Sequence, residues 1–414
     1  MRECMSEKQP LVVLVAPNVS EQMGGEAIKA LQIFRELKKQ HHNTIQITHG
    51  RCRDDVERLR LEDVYFVNDT ALSLIMWRSV VLRPLIDAWF ALKAIRFAER
   101  LAMGRGLSGR QVIIHQTEPN SPVLPRFVSP HHSNVFGPIN GNIYYPAIFR
   151  HNEGFKARWR RRLHMPAQAI NRLVFHGKTS ADVVLYAGGE RTRISLLAGG
   201  FRANVLLPSL DSGVADHLLD RPRPNQTGEN PRFVHFGRLV FHKGTTLAIE
   251  ALAATAQPIT LDIIGRGPQL QHCKHLTKKL HLEHRVNFLD WLPSHEELLS
   301  RLENYRGMVL PSIEDANGIV VQEAMAIGIP PICLDWGGPQ LLIKNGISGF
   351  LISPSSREEI VQSIAQKMDA LASDAALANS ISSAAKSAAE EWRWSKLARS
   401  WLAMYDAIQP ELSV

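Results

Sequence analysis

The chain has 414 residues, which is too long for one typical domain and suits two domains of average size. Hydrophobic residues make up 45% and charged residues 21% of the chain, a balance that is typical of soluble globular proteins and excludes a disordered or fibrous chain. The formal net charge of +8 favours anionic partners such as nucleotides, sugar phosphates or an acidic membrane face; the alternative is a solvated basic surface with no binding role.

The four cysteines are scattered and form neither a CxxC pair nor a zinc spacing, so we expect a reducing compartment and no structural disulfide. The N-terminal apolar run that ends at Pro17 is too short for a secretory signal. No segment approaches the ~20 apolar residues of a membrane span. These features predict a cytoplasmic protein.

The first half of the chain alternates between strand-like and helical patterns. Leu11–Pro17 (LVVLVAP) is typical of a buried strand, and a polar loop with Gly24 and Gly25 follows it. Glu26–Gln40 then places its apolar residues on one helical face, and Thr44–Gly50 is the next predicted strand. Further strands are predicted over Gln111–Gln116, Ser133–Pro138 and Ala181–Gly188. This alternation predicts a parallel sheet covered by helices.

Residues 212–230 are polar and rich in Pro, Gly and Asn, which predicts a linker. The strand and helix pattern restarts after it, with strands predicted over 232–237, 259–265, 285–292, 307–312 and 330–338. We therefore predict an α/β protein with two domains, an N-terminal one over 1–211 and a C-terminal one over 231–391. An amphipathic helix within 392–414 needs a surface to pack on, for which the N-terminal domain is the candidate.

The first stretch with a chemical signal is FGRLVFHKG, residues 236–244. A predicted strand ends at Gly237, Arg238 and Lys243 lie in the turn, and a helix is predicted to begin near Thr245. Two cations beside the free N–H groups of a helix N-terminus would form a diphosphate clamp. The alternative, two solvated cations in a surface turn, is equally compatible with this stretch alone.

A second stretch, DIIGRGPQL, has Gly265 and Gly267 directly after a predicted strand. It resembles a dinucleotide fingerprint only in part, because the third glycine is missing and Pro268 follows the second. A tight turn that lets the backbone approach a ligand is the better interpretation.

The third stretch is PSIEDANGIVVQEA, residues 311–324. We expect Gly318 to start a helix, Asp315 to lie in the loop at its mouth, and Glu323 to lie about one and a half turns inside it. Both carboxylates could accept hydrogen bonds from sugar hydroxyls. The alternative is a capping Asp315 with a solvated Glu323, and the pattern itself is compatible with both.

Taken together, these stretches with RVNFLDWLP and NGISGFLI resemble, in order and spacing over about residues 232–355, the C-terminal domain of family 4 retaining glycosyltransferases of GT-B fold. The N-terminal half is similar more weakly, through its first strand, the Gly24–Gly25 loop and GPINGNIYYP (residues 137–146). The resemblance implies two facing Rossmann-like domains with a nucleotide-sugar in the cleft between them. It also implies retaining, metal-independent sugar transfer to a glycan or lipid-linked acceptor in cell-envelope or exopolysaccharide synthesis, with no cofactor because the nucleotide-sugar is a substrate.

The resemblance also implies roles for single residues. Arg238 and Lys243 would hold the donor diphosphate, Glu323 the ribose hydroxyls, and Asp315 the transferred sugar. The remaining donor-binding residues implied are Gly24, Gly25, Gly237, Gly265, Gly267, Gly318, Ile319 and Val320.

Two positions depart from the family pattern. The common first acid is Glu, whereas here Asp315 keeps the seven-residue spacing to Glu323 and Glu314 lies off register. The histidine frequent in the N-terminal domain is missing from NVFGPINGN. His115, Asn140 and Gly141 are the candidates for the acceptor site, with a structural role for His115 as its alternative.

Basic residues interleave with aromatic and apolar ones in residues 155–165 and 75–106. Such helices can lie on an anionic membrane, which would make the protein peripheral on the inner face; core packing and a solvated arginine run are the alternative. Nucleic acid is not expected as a partner, because no recognised binding module accompanies the charge.

The rival functions are a catalytically silent nucleotide-sugar-binding protein and a Rossmann-type oxidoreductase or epimerase. The absence of GxGxxG after the first strand counts against the oxidoreductase or epimerase.

Overall fold

The computed structural model describes residues 9–79, 82–107, 112–141, 144–174, 176–224, 231–290 and 295–408. The described residues within Met1–Asn142, Trp159–Ser212 and Trp394–Val414 form one compact unit. Those within Ile143–Arg158 and Gly213–Arg393 form the second. Each unit is an α/β body built on its own parallel sheet.

The first unit contains a seven-stranded parallel sheet in the order β3-β2-β1-β4-β5-β6-β7. Its strands are β1 (Leu11–Val15), β2 (Thr44–His49), β3 (Val64–Val67), β4 (Val112–Gln116), β5 (Ser133–Ile139), β6 (Val183–Tyr186) and β7 (Leu206–Pro208). Its helices are α1 (Gly25–Gln40), α2 (Arg53–Arg58), α3 (Ala71–Arg78), α4 (Arg83–Gly104), α5 (Phe155–Val174), α6 (Glu190–Ala198) and α15 (Trp394–Ile408). The residues of α5 before Trp159 belong to the other unit.

The apolar residues of β1 are buried on both sides of this sheet. Val12 and Leu14 pack with α1 and α15, whereas Leu11, Val13 and Val15 pack with α4. A strand covered on both faces reads as a continuous apolar run, which is why LVVLV shows no polar alternation. The C-terminal helix α15 therefore supplies part of the core of the first unit.

The second unit contains a six-stranded parallel sheet in the order β10-β9-β8-β11-β12-β13. The strands are β8 (Arg232–Phe236), β9 (Thr260–Ile264), β10 (Val286–Leu289), β11 (Gly307–Leu310), β12 (Pro331–Leu334) and β13 (Phe350–Ile352). The helices are α7 (Asp216–Leu219), α8 (Thr245–Ala253), α9 (Leu270–Lys279), α10 (His295–Leu302), α11 (Ile319–Ile327), α12 (Pro339–Leu342), α13 (Arg357–Ser373) and α14 (Ala375–Glu390).

Two segments differ from the domain division expected from the sequence. Ile143–Arg158 belongs to the second unit, because Phe149 is buried in its core and Ile148 packs against that core. The expected linker over 212–230 is helical at Asp216–Leu219, where Leu218 and Leu219 are buried. Residues 225–230 of it lie outside the described residues.

In each sheet the order in which successive strands are added reverses at one place. The reversal lies between β1 and β4 in the first sheet and between β8 and β11 in the second. Ligands of open α/β sheets bind beyond the carboxyl ends of the strands at such switch points. The fold thus indicates one location in each unit where a ligand site is expected.

Candidate functional site

The switch point of the second sheet lies under the loops that follow β8 and β11. Arg238 and Lys243 lie in the first loop, and Asp315 lies in the second. The backbone N–H of Ile313 donates to the carbonyl of His242 at 2.9 Å, which joins the two loops directly. The structure therefore brings together the residues of the first and third stretches with a chemical signal.

Gly244 allows this close approach. Its φ of 71° is left-handed, and a Cβ added to it would lie 2.2 Å from the carbonyl oxygen of Pro311. Glycine alone tolerates both conditions without strain. The turn after Lys243 is thereby held against the loop that carries Asp315, and α8 begins at the next residue.

Lys243 and Asp315 form an ion pair. Lys243 Nζ donates to Asp315 Oδ2 at 2.6 Å, and both side chains are mostly buried. A short contact between a buried ammonium and a carboxylate neutralises two charges that would each be costly to bury alone. The pair joins the residue expected to bind diphosphate to the residue expected to bind the sugar.

The other carboxylate oxygen of Asp315 is held by the backbone. Asp315 Oδ1 accepts hydrogen bonds from the N–H groups of Gly318 at 2.9 Å and Asn317 at 3.3 Å. The helix α11 begins at Ile319, and its N-cap residue Gly318 has a left-handed φ of 62° and no side-chain cap. Asp315 thus organises the loop at the helix mouth and faces Lys243 at the same time, so the two interpretations of this acid are compatible.

Glu323 is the fifth residue of α11 and is partly buried. Desolvation by burial raises the pKa of its carboxyl from 4.5 to about 7. Hydrogen-bond donors such as ribose hydroxyls would stabilise the charged form of a carboxylate in such an environment and lower its pKa.

The glycine turn after β9 packs against the turn after β8. A Cβ added to Gly267 would lie 2.2 Å from the carbonyl oxygen of Leu239, and the N–H of Leu239 donates to the carbonyl of Arg266 at 2.8 Å. Gly237 donates to the carbonyl of Ile264 at 3.0 Å. These glycines therefore shape the loop that presents Arg238, whose side chain is exposed.

His235 is a supporting residue that the sequence motifs did not reveal. Its Nδ1 donates to the carbonyl of Val309 at 2.9 Å, because a carbonyl can only accept, and this leaves Nε2 to accept from Thr245 Oγ1 at 2.9 Å. The fully buried ring thus ties β8, β11 and the start of α8 together. An apolar strand with one histidine directly before the glycine turn was the only signal for it.

The residues expected to contribute from the first unit lie at the carboxyl ends of its strands. Gly24, with a φ of 100°, is the N-cap of α1, which begins at Gly25 and has no side-chain cap. The N–H of Asn140 donates to the carbonyl of Asn120 at 3.0 Å, and the carbonyl of Gly141 accepts from Thr192 Oγ1 at 3.1 Å. The roles given to these glycines and to Asn140 and Gly141 stay predictions.

His115 has the environment of a structural histidine. It is fully buried, its Nε2 donates to the carbonyl of Gly137 at 2.8 Å, and its Nδ1 accepts from the hydroxyl of Tyr405 at 2.6 Å. Burial lowers its pKa to about 4, so the ring stays neutral. Both ring nitrogens are engaged within the core, which favours the structural alternative over contact with an acceptor.

No group of three or more His, Cys, Asp or Glu side chains among the described residues is arranged to hold a metal ion. Within that same part of the chain, none of the helices has the length and apolar character needed to cross a membrane.

The second unit and parts of the chain are similar in sequence to known glycosyltransferases. Residues 218–388 match the model of the family described as Glycosyl transferases group 1. The chain is 30% identical over 133 residues to lipopolysaccharide 1,6-galactosyltransferase of Salmonella typhimurium, which covers 31% of this chain and 37% of that protein. It is 29% identical over 154 residues, or 35% of this chain and 38% of the other, to the putative colanic acid biosynthesis glycosyltransferase WcaL of Escherichia coli. The match thus spans less than half the length of these relatives.

Solved structures match over nearly the whole chain. Anabaena Alr3699/HepE, solved in complex with UDP and glucose, has a TM-score of 0.62 at 16% identity and covers 96% of this chain and 99% of its own. The apo form of the lipopolysaccharide outer core galactosyltransferase WaaB has a TM-score of 0.63 at 17% identity, with the same coverage of 96% and 99%. At these identities the likeness concerns the fold, and it confirms the predicted fold class, GT-B with two parallel-sheet α/β domains.

Proposed function

We propose that the protein transfers a sugar from a nucleotide-sugar to a glycan or lipid-linked acceptor with retention of configuration, since residues 218–388 match the model of the Glycosyl transferases group 1 family. The observation that carries the proposal is the contact of Lys243 with Asp315 at the switch point of the second sheet. A cation, a carboxylate and a helix N-terminus meet there in mostly buried surroundings. This is the chemistry that a sugar diphosphate ester requires.

In the proposed reaction the protein acts through position and charge. The departing nucleoside diphosphate gains negative charge as the bond to the sugar breaks, and Arg238 with the ammonium of Lys243 stabilises it. Diphosphate binding draws Lys243 from Asp315, whose carboxylate then accepts from a hydroxyl of the transferred sugar. Glu323 accepts from the ribose hydroxyls. These cations supply the charge stabilisation that a metal would otherwise give, so we propose metal-independent transfer in the manner of family 4 enzymes.

The names of the similar proteins support a substrate class. Two relatives are named for lipopolysaccharide and colanic acid synthesis, and a structural neighbour holds UDP and glucose. We therefore propose a role in the synthesis of a cell-envelope or exopolysaccharide glycan on the cytoplasmic side, and a UDP-sugar is the first donor to test.

Thermal denaturation with a panel of nucleoside diphosphates and nucleotide-sugars tests the donor site. A ligand at 100 times its dissociation constant stabilises the folded state by ~2.7 kcal/mol, so the true donor is expected to raise Tm by several degrees. Lys243→Ala is expected to remove that rise, whereas the control Lys278→Ala, an exposed lysine of α9, keeps it. Equal stabilisation of both variants by every nucleotide would overturn the assignment of Lys243 to the donor site. Metal independence has a separate test, in which loss of sugar transfer on adding EDTA would overturn it.

We propose further that α5 binds an anionic membrane surface, where a lipid-linked acceptor would lie. Phe155, Trp159, Leu163, Ile170 and Leu173 recur at helical spacing and are 46% to 78% exposed. Arginines 160–162 adjoin this apolar stripe. Such a helix lies in the interface with its apolar side in the lipid, and each arginine near the surface contributes ~1 kcal/mol.

Sedimentation with vesicles containing phosphatidylglycerol tests this surface. Replacing Arg160, Arg161 and Arg162 together by Gln is expected to reduce the bound fraction at low salt. The matched control replaces Lys274, Lys278 and Lys279 of α9 by Gln, which removes the same charge elsewhere. Equal binding of the two triple variants, or no binding of the wild-type protein, would contradict the role of α5.

A further inference from the structure

Two positively charged side chains are buried in the first unit and have no role in the proposed reaction. Arg126 lies in the loop between β4 and β5 and is 2% exposed, and Lys178 lies between α5 and β6 and is 1% exposed. Charged side chains are almost never buried to this extent unless an opposite charge accompanies them. We therefore expect a negative group close to both.

The two side chains bind the same stretch of backbone. Arg126 Nη2 donates to the carbonyl of Pro119, and Lys178 Nζ donates to the carbonyl of Pro122 at 2.9 Å and to Gln168 Oε1 at 3.1 Å. Burial, and after it the charge of Arg126, lowers the pKa of Lys178 to about 7. The two positive charges therefore lie close enough to repel each other across residues 119–122.

Neither cation has a negative partner in the part of the chain that the structure describes. The oxygens that they contact there belong to carbonyl and amide groups, and no carboxylate there acts on the charge of either. Nε and Nη1 of Arg126 are buried and have no hydrogen-bond partner among the described residues. Burial lowers the pKa of Arg126 to about 9, so the guanidinium stays charged at neutral pH even where Lys178 loses its proton. Such an uncompensated charge, with buried N–H donors, strongly disfavours the folded state.

The surroundings limit the size of the missing partner. The rings of Phe136 and Phe201 lie 5.4 Å from Arg126 Cζ and 5.7 Å from Lys178 Nζ, and Gln168 is fully buried. Cation–π contacts of this kind offset part of the burial cost but bring no negative charge. A sugar or a nucleotide is too large for a site whose polar side chains are at most 2% exposed. A water molecule could accept from Arg126 but could not offset its charge, whereas a small anion does both.

We propose that Arg126 and Lys178 form a buried binding site for a small monovalent inorganic anion of the chloride type. The anion accepts hydrogen bonds from the free N–H groups of Arg126 and offsets the charge of both side chains. Because these side chains hold the carbonyls of Pro119 and Pro122, the bound anion also stabilises the loop that follows β4. The site is independent of the proposed function, since none of its residues is assigned to the donor or to the membrane surface.

Thermal denaturation of the full chain in rising sodium chloride tests the site. Sodium gluconate, whose anion is too large for the enclosed site, keeps the ionic strength constant. The Tm of the wild type is expected to rise by several degrees and to level off as the site fills. Arg126→Met and Lys178→Met should each lose most of this rise, whereas the control Arg96→Gln, an exposed arginine of α4, should keep it.

Anomalous diffraction from wild-type crystals grown in sodium bromide locates the anion directly. A bromide peak within hydrogen-bond distance of Nε or Nη1 of Arg126 is expected, and this measurement decides the matter if either methionine variant fails to fold. A chloride effect of equal size in the wild type and in all three variants is a general salt effect and overturns the site. Bromide peaks that lie only elsewhere on the molecule overturn it as well.

Discussion

Glu323 lies in surroundings that disfavour its charge. Burial raises its pKa from 4.5 to about 7, so the unfolded chain loses this proton at a lower pH than the folded protein does. Between these two values the folded state binds more protons, and stability must fall as the pH rises. The contribution of Glu323 to the free energy of unfolding is therefore greatest below pH 4.5 and is lost as the pH rises through 7.

Replacing Glu323 by Gln should remove this pH dependence. The variant is expected to match the wild type near pH 4.5 and to exceed its stability at pH 8 by up to about 3 kcal/mol, measured by urea denaturation at both pH values. The same variant should bind the donor nucleotide more weakly at pH 8, since an amide is a poorer acceptor for ribose hydroxyls than a carboxylate. Glu283→Gln, on an exposed residue, is the control. A wild-type stability that does not fall between pH 5 and 8 would contradict the assignment.

The types of residue at the proposed donor site could be predicted from the sequence, but their contacts could not. The spacing of Asp315 to Glu323 indicated a loop and a helix, and α11 begins where the pattern placed it. The contact of Lys243 with Asp315 depends on two loops that are 72 residues apart and meet only because β8 and β11 are neighbours. No local pattern encodes that adjacency, and the role of His235 depends on it too.

At the scale of elements, α15 is the piece that most clearly ties a distant part of the chain to the first unit. Trp401 and Tyr405 are buried against the sheet, and Tyr405 donates to the ring of His115. Trp401 Nε1 donates to Ser209 Oγ at 3.2 Å. The helix thereby fills an apolar surface and satisfies two buried polar groups.

Two substitutions in α15 should separate these contributions. Trp401→Ala is expected to cost about 3–5 kcal/mol because it leaves a large cavity. Tyr405→Phe is expected to cost about 1–3 kcal/mol, since Nδ1 of His115 loses its donor while the ring packing is kept. Chemical denaturation measures both, and Lys396→Ala on the same helix is the control. A loss for Tyr405→Phe as large as that for Trp401→Ala would contradict this division.

The strands in the middle of each sheet were predictable, whereas the two edge strands of the first sheet were not. Leu11–Val15, Val112–Gln116 and Thr260–Ile264 are strands within the predicted ranges, because buried parallel strands are rich in apolar residues on both faces. Val64–Val67 is a four-residue strand at one edge of its sheet, and Leu206–Pro208 at the other edge contains a proline. Neither of these two segments is long enough for its apolar periodicity to indicate a strand.

At the scale of the whole molecule, the chain does not divide at one place. Ile143–Arg158 belongs to the second unit although both flanking segments belong to the first. Trp336 Nε1 donates to the carbonyl of Tyr144 at 2.7 Å, and the rings of Tyr145 and Phe241 lie 6.1 Å apart. The sequence pattern indicated a linker over 212–230 and a C-terminal helix within 392–414 that packs on the N-terminal domain. It did not indicate the crossing of residues 143–158, because the signal for this segment is a few aromatic residues whose partners are distant in the chain.

The second unit should therefore be incomplete as the continuous fragment 213–393. Without Phe149, which is 3% exposed in the chain, its core retains an open apolar site, and the fragment is expected to unfold at a lower Tm than the fragment mixed with a peptide of residues 143–158. The peptide binds only the folded fragment and stabilises it by mass action, so Tm should rise with peptide concentration. A peptide carrying Phe149→Ala should give a much smaller rise, because it lacks most of the buried apolar surface. Equal effects of the two peptides would show that Phe149 is not what fixes this segment to the second unit.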